Sequence, residues 1–264
     1  MQRLEAADAF EHTRGAFGEK SMPGHIVSSY DDELKAILRR ISEMGGQAER
    51  MVEQSVAALM KSDMQLAQRV IADDRLLDEA QRELDEHAIR TIAKRQPMAQ
   101  DLREIVGAIR ISNDLERIGD LGKNIAKRVI AVHEHGQPVK LVRGLEHLSG
   151  LALEQLKEVL DAYARRDEDR AEMVRARDEE IDAMYTSIFR ELLTYMMEDP
   201  RNITACTHLL FSAKNIERIG DHATNIAETI YYIKTGNQVE GERPKDDRTH
   251  AIVADPGGTV GTVL

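Results

Sequence analysis

The sequence predicts an all-α protein made of two homologous three-helix bundles. Composition is the first sign. Leu, Ile, Ala, Met, Glu and Arg dominate, charged residues are 31%, aromatics are 4%, and Trp is absent. Periodicity is the second. Apolar residues fall at helical spacing at Ile111, Leu115, Ile118, Ile125 and Val129, and again at Ile216, Ile219, Ala223, Ile226 and Ile230. Repetition is the third. Glu116-Arg117-Ile118-Gly119-Asp120 returns intact as Glu217-Arg218-Ile219-Gly220-Asp221, and Asn124-Ile125-Ala126 returns as Asn225-Ile226-Ala227. Two copies of one helix explain this economically.

Residues 1–27 read as a flexible N-terminal extension, and residues 1–21 lack the apolar segment of a signal peptide. A first long helix begins near Ser28–Asp31, with Ile37, Ile41, Met44, Met51, Val56, Leu59 and Met60 as its apolar stripe. Gly45-Gly46 within it marks a kink or a close helix crossing. Ser62 and Gln65 have capping-box spacing and open a second helix carrying Leu66, Val70, Ile71, Leu77, Leu84, Ile89 and Ile92. Asp73-Asp74 is a candidate interruption, and Pro97 ends the helix. A third helix runs from about Asp101 to His133, where Gly136-Gln137-Pro138 stops the chain.

The same order then returns. A long helix runs from near Val142 to Arg165-Arg166, and Asp167 restarts the chain as Asp63 did. Asp178-Glu179-Glu180-Ile181-Asp182 answers Asp74-Arg75-Leu76-Leu77-Asp78, and Pro200 answers Pro97. The last helix reaches about Lys234, and Gly236 closes it. The repeats are assigned to residues 28–137 and 138–237. Residues 238–264, with Pro244, Pro256 and little periodicity, read as a disordered tail.

The net charge of −11 disfavours nucleic acid and anionic lipid, and suits cations or basic protein surfaces. Cys206 is the only cysteine, so no intrachain disulfide can form, as suits a reducing cytoplasm. The longest uninterrupted apolar run, Val56–Met60, is far too short to span a bilayer.

The repeat carries four acid pairs at i, i+4: Asp74/Asp78, Glu116/Asp120, Asp178/Asp182 and Glu217/Asp221. That spacing puts both carboxylates of a pair on one helix face, where like charges repel. Each half supplies one pair from its second helix and one from its third, so antiparallel packing brings four carboxylates to one patch. A multivalent cation would relieve the repulsion. All-oxygen ligation suits iron, Mg²⁺, Mn²⁺, Ca²⁺ or Zn²⁺ in one or more multinuclear sites. Asn124 and Asn225, one turn on, offer further carbonyl oxygens. The competing reading is a solvated acidic face neutralised by Arg117 and Arg218.

Gly119 and Gly220 each cost about 1 kcal/mol inside a helix relative to Ala, and close helix packing is the expected reason. No His stands three residues after a Glu, so the ligand pair of ferritin-like bundles is missing. His133 and His135 read as helix C-terminal caps. His222 should point off the acid face, Cys206 into the core, and Met173, Met184, Met196 and Met197 read as core fillers. No Ser/His/Asp or Cys/His arrangement is discernible.

The doubled Asp114–Asp120 and Asn215–Asp221 segments, the paired Asp-x-x-x-Asp helices and Arg95-Gln96-Pro97 resemble the PhoU family, over about residues 25–235. Glu198-Asp199-Pro200 departs from the pattern of the first half. The resemblance implies two three-helix bundles with metal clusters, iron among them, at the paired acids. It also implies a cytoplasmic regulator that is not an enzyme and permits a homodimer. Such a regulator links the ATPase of a phosphate ABC transporter to a phosphate-sensing histidine kinase and represses the phosphate-starvation response. The alternatives are a carboxylate-bridged di-metal hydrolase or oxidase, and a helical scaffold with solvated acids.

Overall fold

The computed structural model describes residues 24–133 and 139–239. The extension through residue 23, the Gly136-Gln137-Pro138 stop with His135, and the tail from residue 240 lie outside the described residues. Helices α1 (Gly24–Lys61), α2 (Met64–Arg95) and α3 (Ala99–Val132) form the first half. The second half contains α4 (Val139–Arg165), α5 (Glu168–Ala176), α6 (Asp178–Glu198) and, after a 3₁₀ turn at Pro200–Asn202, α7 (Ile203–Thr235). Among the described residues there is no strand. The first helix starts at Gly24, upstream of the Ser28 start read from the sequence.

The junction α1–α2 recurs at α4–α5. Ser62 adopts φ 51°, and the Asp63 amide donates to Ala58 O at 2.9 Å. Arg166 adopts φ 55°, and the Asp167 amide donates to Ala162 O at 2.9 Å. Both are Schellman-type endings that turn the chain through one left-handed residue. The next residue is at once the N-cap of the following helix. Asp63 accepts from the Leu66 amide at 2.9 Å, and Asp167 from the Arg170 amide at 3.0 Å. The capping box with Ser62 as N-cap is therefore corrected: Ser62 ends α1, and Asp63 begins α2.

Asp73-Asp74 does not interrupt α2, which is continuous from Met64 to Arg95. The break falls in the other half, at Arg177 (φ −88°, ψ 1°), which splits the equivalent helix into α5 and α6. Arg177 there meets Glu158 at 3.0 Å, Glu154 at 3.5 Å and Glu180 at 3.7 Å.

The apolar stripes meet in one continuous core that includes Ile41, Leu77, Ile111, Ile118, Leu145, Leu156, Ile216 and Ile226. Helix α1 is unbroken at Gly45, where an added Cβ would lie 2.7 Å from Leu160 Cδ1, so this is a close crossing with α4 rather than a kink. Cys206 is buried as expected. Met184 and Met196 pack at the edge of the core, but Met173 and Met197 are exposed and fill nothing. Ile89 is also exposed, at the outer side of α2.

Helices α3 and α7 form the seam between the halves, while α1 packs on α4. Polar contacts cross the seam along its length. Arg103 Nε donates to Ile233 O at 3.2 Å, capping α7 from α3. Arg110 and Arg128 of α3 lie 4.6 Å over the rings of Tyr232 and Phe211.

Candidate functional site

In each half the acid pairs meet because a glycine lets two helices approach. Glu116 and Asp120 straddle Gly119 on α3, and a Cβ there would lie 2.4 Å from Leu77 Cδ2 of α2. Asp74 and Asp78 flank Leu77 on α2. Glu217 and Asp221 straddle Gly220 on α7, where a Cβ would lie 2.7 Å from Ile181 Cδ1 of α6. Asp178 and Asp182 flank Ile181. Helix packing at the glycine therefore sets the two carboxylate pairs against one another.

The first cluster is partly buried. Asp74 is buried, and Asp78, Glu116 and Asp120 are half-buried. Burial pushes Glu116 up, with Asp120, Asp78 and Asp74 adding to the effect against Arg117. Burial likewise pushes Asp74 up, with Lys123 opposing and Asp78 and Asp120 assisting. The neutralising group foreseen, Arg117, is only loosely placed, 3.5 Å from Glu116 and 3.7 Å from Asp120. The close cation is Lys123. Its Nζ donates to Asp74 Oδ2 and to Asp120 Oδ1, each at 2.5 Å, joining α2 to α3. Burial works against its charge, but the two carboxylates outweigh it and hold the ammonium above the ordinary lysine value.

The second cluster is deeper and differently balanced. Asp178, Asp182 and Glu217 are buried, and Asp221 is half-buried. Glu217 is pushed up to about 7 by burial, with Asp221 and Asp182 adding to it against Lys214. Lys214 donates to Glu217 Oε1 at 2.8 Å from one turn back on the same helix. Glu217 Oε2 is buried without a hydrogen-bond partner. The position equivalent to Lys123 is Thr224, a neutral hydroxyl that donates to Asp178 Oδ1 at 3.2 Å. Gln155 of α4 donates to Thr224 Oγ1 at 3.2 Å and to Val174 O at 3.1 Å. As they stand, no three Asp, Glu, His or Cys side chains among the described residues form a ready ligand set.

Sequence reading placed the eight acids but missed Lys123, Lys214, Thr224 and Gln155. One signal was available. Lys123 stands three residues after Asp120, and Thr224 replaces it at one of the three positions, of eleven, at which Glu116–Ala126 and Glu217–Ala227 differ. The Asn225 amide nitrogen donates across the seam to Asp114 Oδ1 at 3.3 Å. His222 points off the acid face as expected and pairs with the same Asp114 oxygen at 2.9 Å.

The family model described as the PhoU domain matches the chain twice, at residues 41–129 and 145–230. A Rhizobium meliloti (strain 1021) protein named phosphate-specific transport system accessory protein PhoU homolog is 71% identical over 228 residues, covering 86% of this chain and 96% of that protein. A protein of the same name from Caulobacter vibrioides (strain NA1000 / CB15N) is 52% identical over 226 residues, covering 86% and 98%. The crystal structure of PhoU from Pseudomonas aeruginosa aligns with TM-score 0.76 at 38% identity, over 79% of this chain and 100% of that one. The crystal structure of the phosphate transport system regulatory protein PhoU from Streptococcus pneumoniae aligns with TM-score 0.74 at 26% identity, over 80% and 100%.

Proposed function

This chain belongs to the PhoU family, and from that membership we propose that it is a cytoplasmic regulator of phosphate uptake. It acts as a non-catalytic adaptor between the ATPase of the phosphate ABC transporter and a phosphate-sensing histidine kinase, and represses the starvation response when phosphate is plentiful. The observation that carries the reading is the likeness of both halves, over almost the full length of the relatives, to proteins named as accessory to phosphate transport. The net charge of −11 fits docking on basic surfaces of such partners. No described helix is long and apolar enough to cross a membrane, which fits a peripheral role. Deleting the gene and measuring alkaline phosphatase in rich phosphate tests the reading. Derepression is the expected result, and intact repression overturns it. Binding to the purified kinase or ATPase should weaken as salt rises from low to physiological strength. The working unit in this reading is a homodimer, which light scattering checks against the chain mass of 29.7 kDa.

The family also implies metal at the paired acids, and the second cluster fits it. Asp182 and Asp221 lie near Glu217, whose Oε2 is buried with no hydrogen-bond partner while Oε1 accepts from Lys214, and the neutral Thr224 donates to Asp178. Asp178, Asp182, Glu217 and Asp221 would hold the ion, whether iron, Mg²⁺, Mn²⁺ or Zn²⁺. Bound there, it supplies charge neutralisation and a tie between α6 and α7. Thermal melts with and without EDTA on wild type and Asp221→Ala test this. A wild-type melt that EDTA lowers, and a mutant melt that EDTA leaves alone, are expected. Indifference of both counts against metal.

A further inference from the structure

The first cluster differs from the second at the position where a bridging cation belongs. We infer that the Lys123 ammonium is the resident cation of the Asp74/Asp78/Glu116/Asp120 cluster and closes it to metal, an inference that builds on the metal reading of the second repeat. Lys123 Nζ binds Asp74 Oδ2 on α2 and Asp120 Oδ1 on α3, the two oxygens through which an ion would join these helices. A divalent ion on the same oxygens needs contacts of about 2.0–2.6 Å. An ion so placed would sit against the ammonium, and two cations would repel each other across a contact distance. Metal entry therefore requires expelling Lys123.

Lys123 is not an ordinary surface lysine. Its side chain is 20% exposed, and it bridges acids on two helices, Asp74 of α2 and Asp120 of α3. Lys214, in the second half, is 40% exposed and bonds to Glu217 within α7. The equivalent of Lys123 there is Thr224, which brings a hydroxyl and no charge. Duplicated helices thus differ at one position: an ammonium that joins α2 to α3 in the first repeat, and a neutral hydroxyl on Asp178 in the second, where Lys214 bonds to Glu217 from a different position.

The test uses Mn²⁺ as the probe. Bound metal per chain is measured by elemental analysis on the full chain, with helicity checked by circular dichroism. Five variants are compared with wild type: Lys123→Thr, Lys123→Gln, Asp120→Asn, Asp221→Asn and the double variant Lys123→Thr/Asp120→Asn. Lys123→Thr installs the second-repeat residue and should take up about one more Mn²⁺ per chain than wild type. Adding Asp120→Asn to it should abolish the extra ion, whereas Asp120→Asn alone should leave wild-type metal unchanged. If neither Lys123 variant gains Mn²⁺, or if Asp120→Asn alone strips wild-type metal, Lys123 is not the closing cation. A Lys123 variant that loses helicity but regains it with excess Mn²⁺ supports the inference, and one that Mn²⁺ leaves unfolded counts against it. The metal reading of the second repeat is judged separately by Asp221→Asn, which fails it if wild-type metal is unaffected or absent. Gain of Mn²⁺ by Lys123→Thr decides the present inference in either case.

Discussion

A methyl group added at Gly119 would lie 2.4 Å from Leu77 Cδ2, whereas at Gly150 nothing lies within 4 Å. Both residues are inside helices, so Ala gains about 1 kcal/mol of helix propensity at each. At Gly119 overpacking, typically about 1–3 kcal/mol, should exceed that gain. Gly119→Ala is therefore expected to lower the melting temperature and Gly150→Ala to raise it, as scanning calorimetry would show. A stabilised Gly119→Ala would mean that α2 yields there and that the glycine does not set the acid spacing. The acids themselves were legible in the sequence, because i, i+4 spacing fixes a shared face whatever the fold. Their counterions were not. That Lys123 also reaches Asp74 depends on the distance between α2 and α3, which local spacing does not reveal. Met173 and Met197 were misread for a related reason: an apolar side chain signals burial only when a neighbouring element covers it.

Helix boundaries follow from a few caps. Asp63 and Asp167 each satisfy an orphan amide at the start of a helix, so Asp63→Ala and Asp167→Ala should each cost about 1 kcal/mol in urea unfolding. Losses well below that would show that the preceding left-handed turn alone fixes these corners. The helices and their ends were mostly readable from apolar period, Asp, Pro and Gly. The break at Arg177 was not, because the acid-rich pattern through Asp178 continues the helical period and the cause is tertiary: Arg177 is held by Glu154 and Glu158 of α4. Helix α1 is pinned to α2 by Glu33, which accepts from Arg95 Nε and Nη2 at 2.9 Å each and from Lys94 at 3.2 Å. The Arg95 hydrogen bonds hold this carboxyl down to about 2, against the effect of burial and with help from Lys94. A depressed folded pKa stabilises above the unfolded value of 4.5, and that stability is lost as pH falls from there toward 2. After discounting for solvent screening, Glu33→Gln should cost about 1 kcal/mol at neutral pH, and the difference from wild type should vanish near pH 2. A constant difference across that acid range would assign the effect to packing.

Across the whole molecule, the core runs through both halves, and Gly45, Gly107 and Gly119 seat one helix closely on another. A single cooperative transition is expected, with calorimetric and van't Hoff enthalpies equal. Two resolved transitions would make the halves independent units. The seam itself has an internal order. A Cβ at Gly107 would lie 3.5 Å from Thr229 Cγ2, and Arg128 Nη1 lies 3.5 Å from His208 Nδ1. Positions 208 and 229 are 107 and 128 advanced by the repeat offset of 101, the separation of Glu116 and Glu217. The two contacts are one contact with the roles of α3 and α7 exchanged. That is the rule of an isologous interface, in which residue i meets j and j meets i about a twofold axis. The seam is thus a symmetric subunit interface contained in one polypeptide. Residues 24–133 alone would leave the α3 side of this interface uncovered, but pairing it with itself would set Arg128 against Arg110 where the intact chain presents Phe211, so light scattering should find no stable dimer of that fragment. In the intact chain the face is already closed, and any assembly of whole molecules must be built on a different surface.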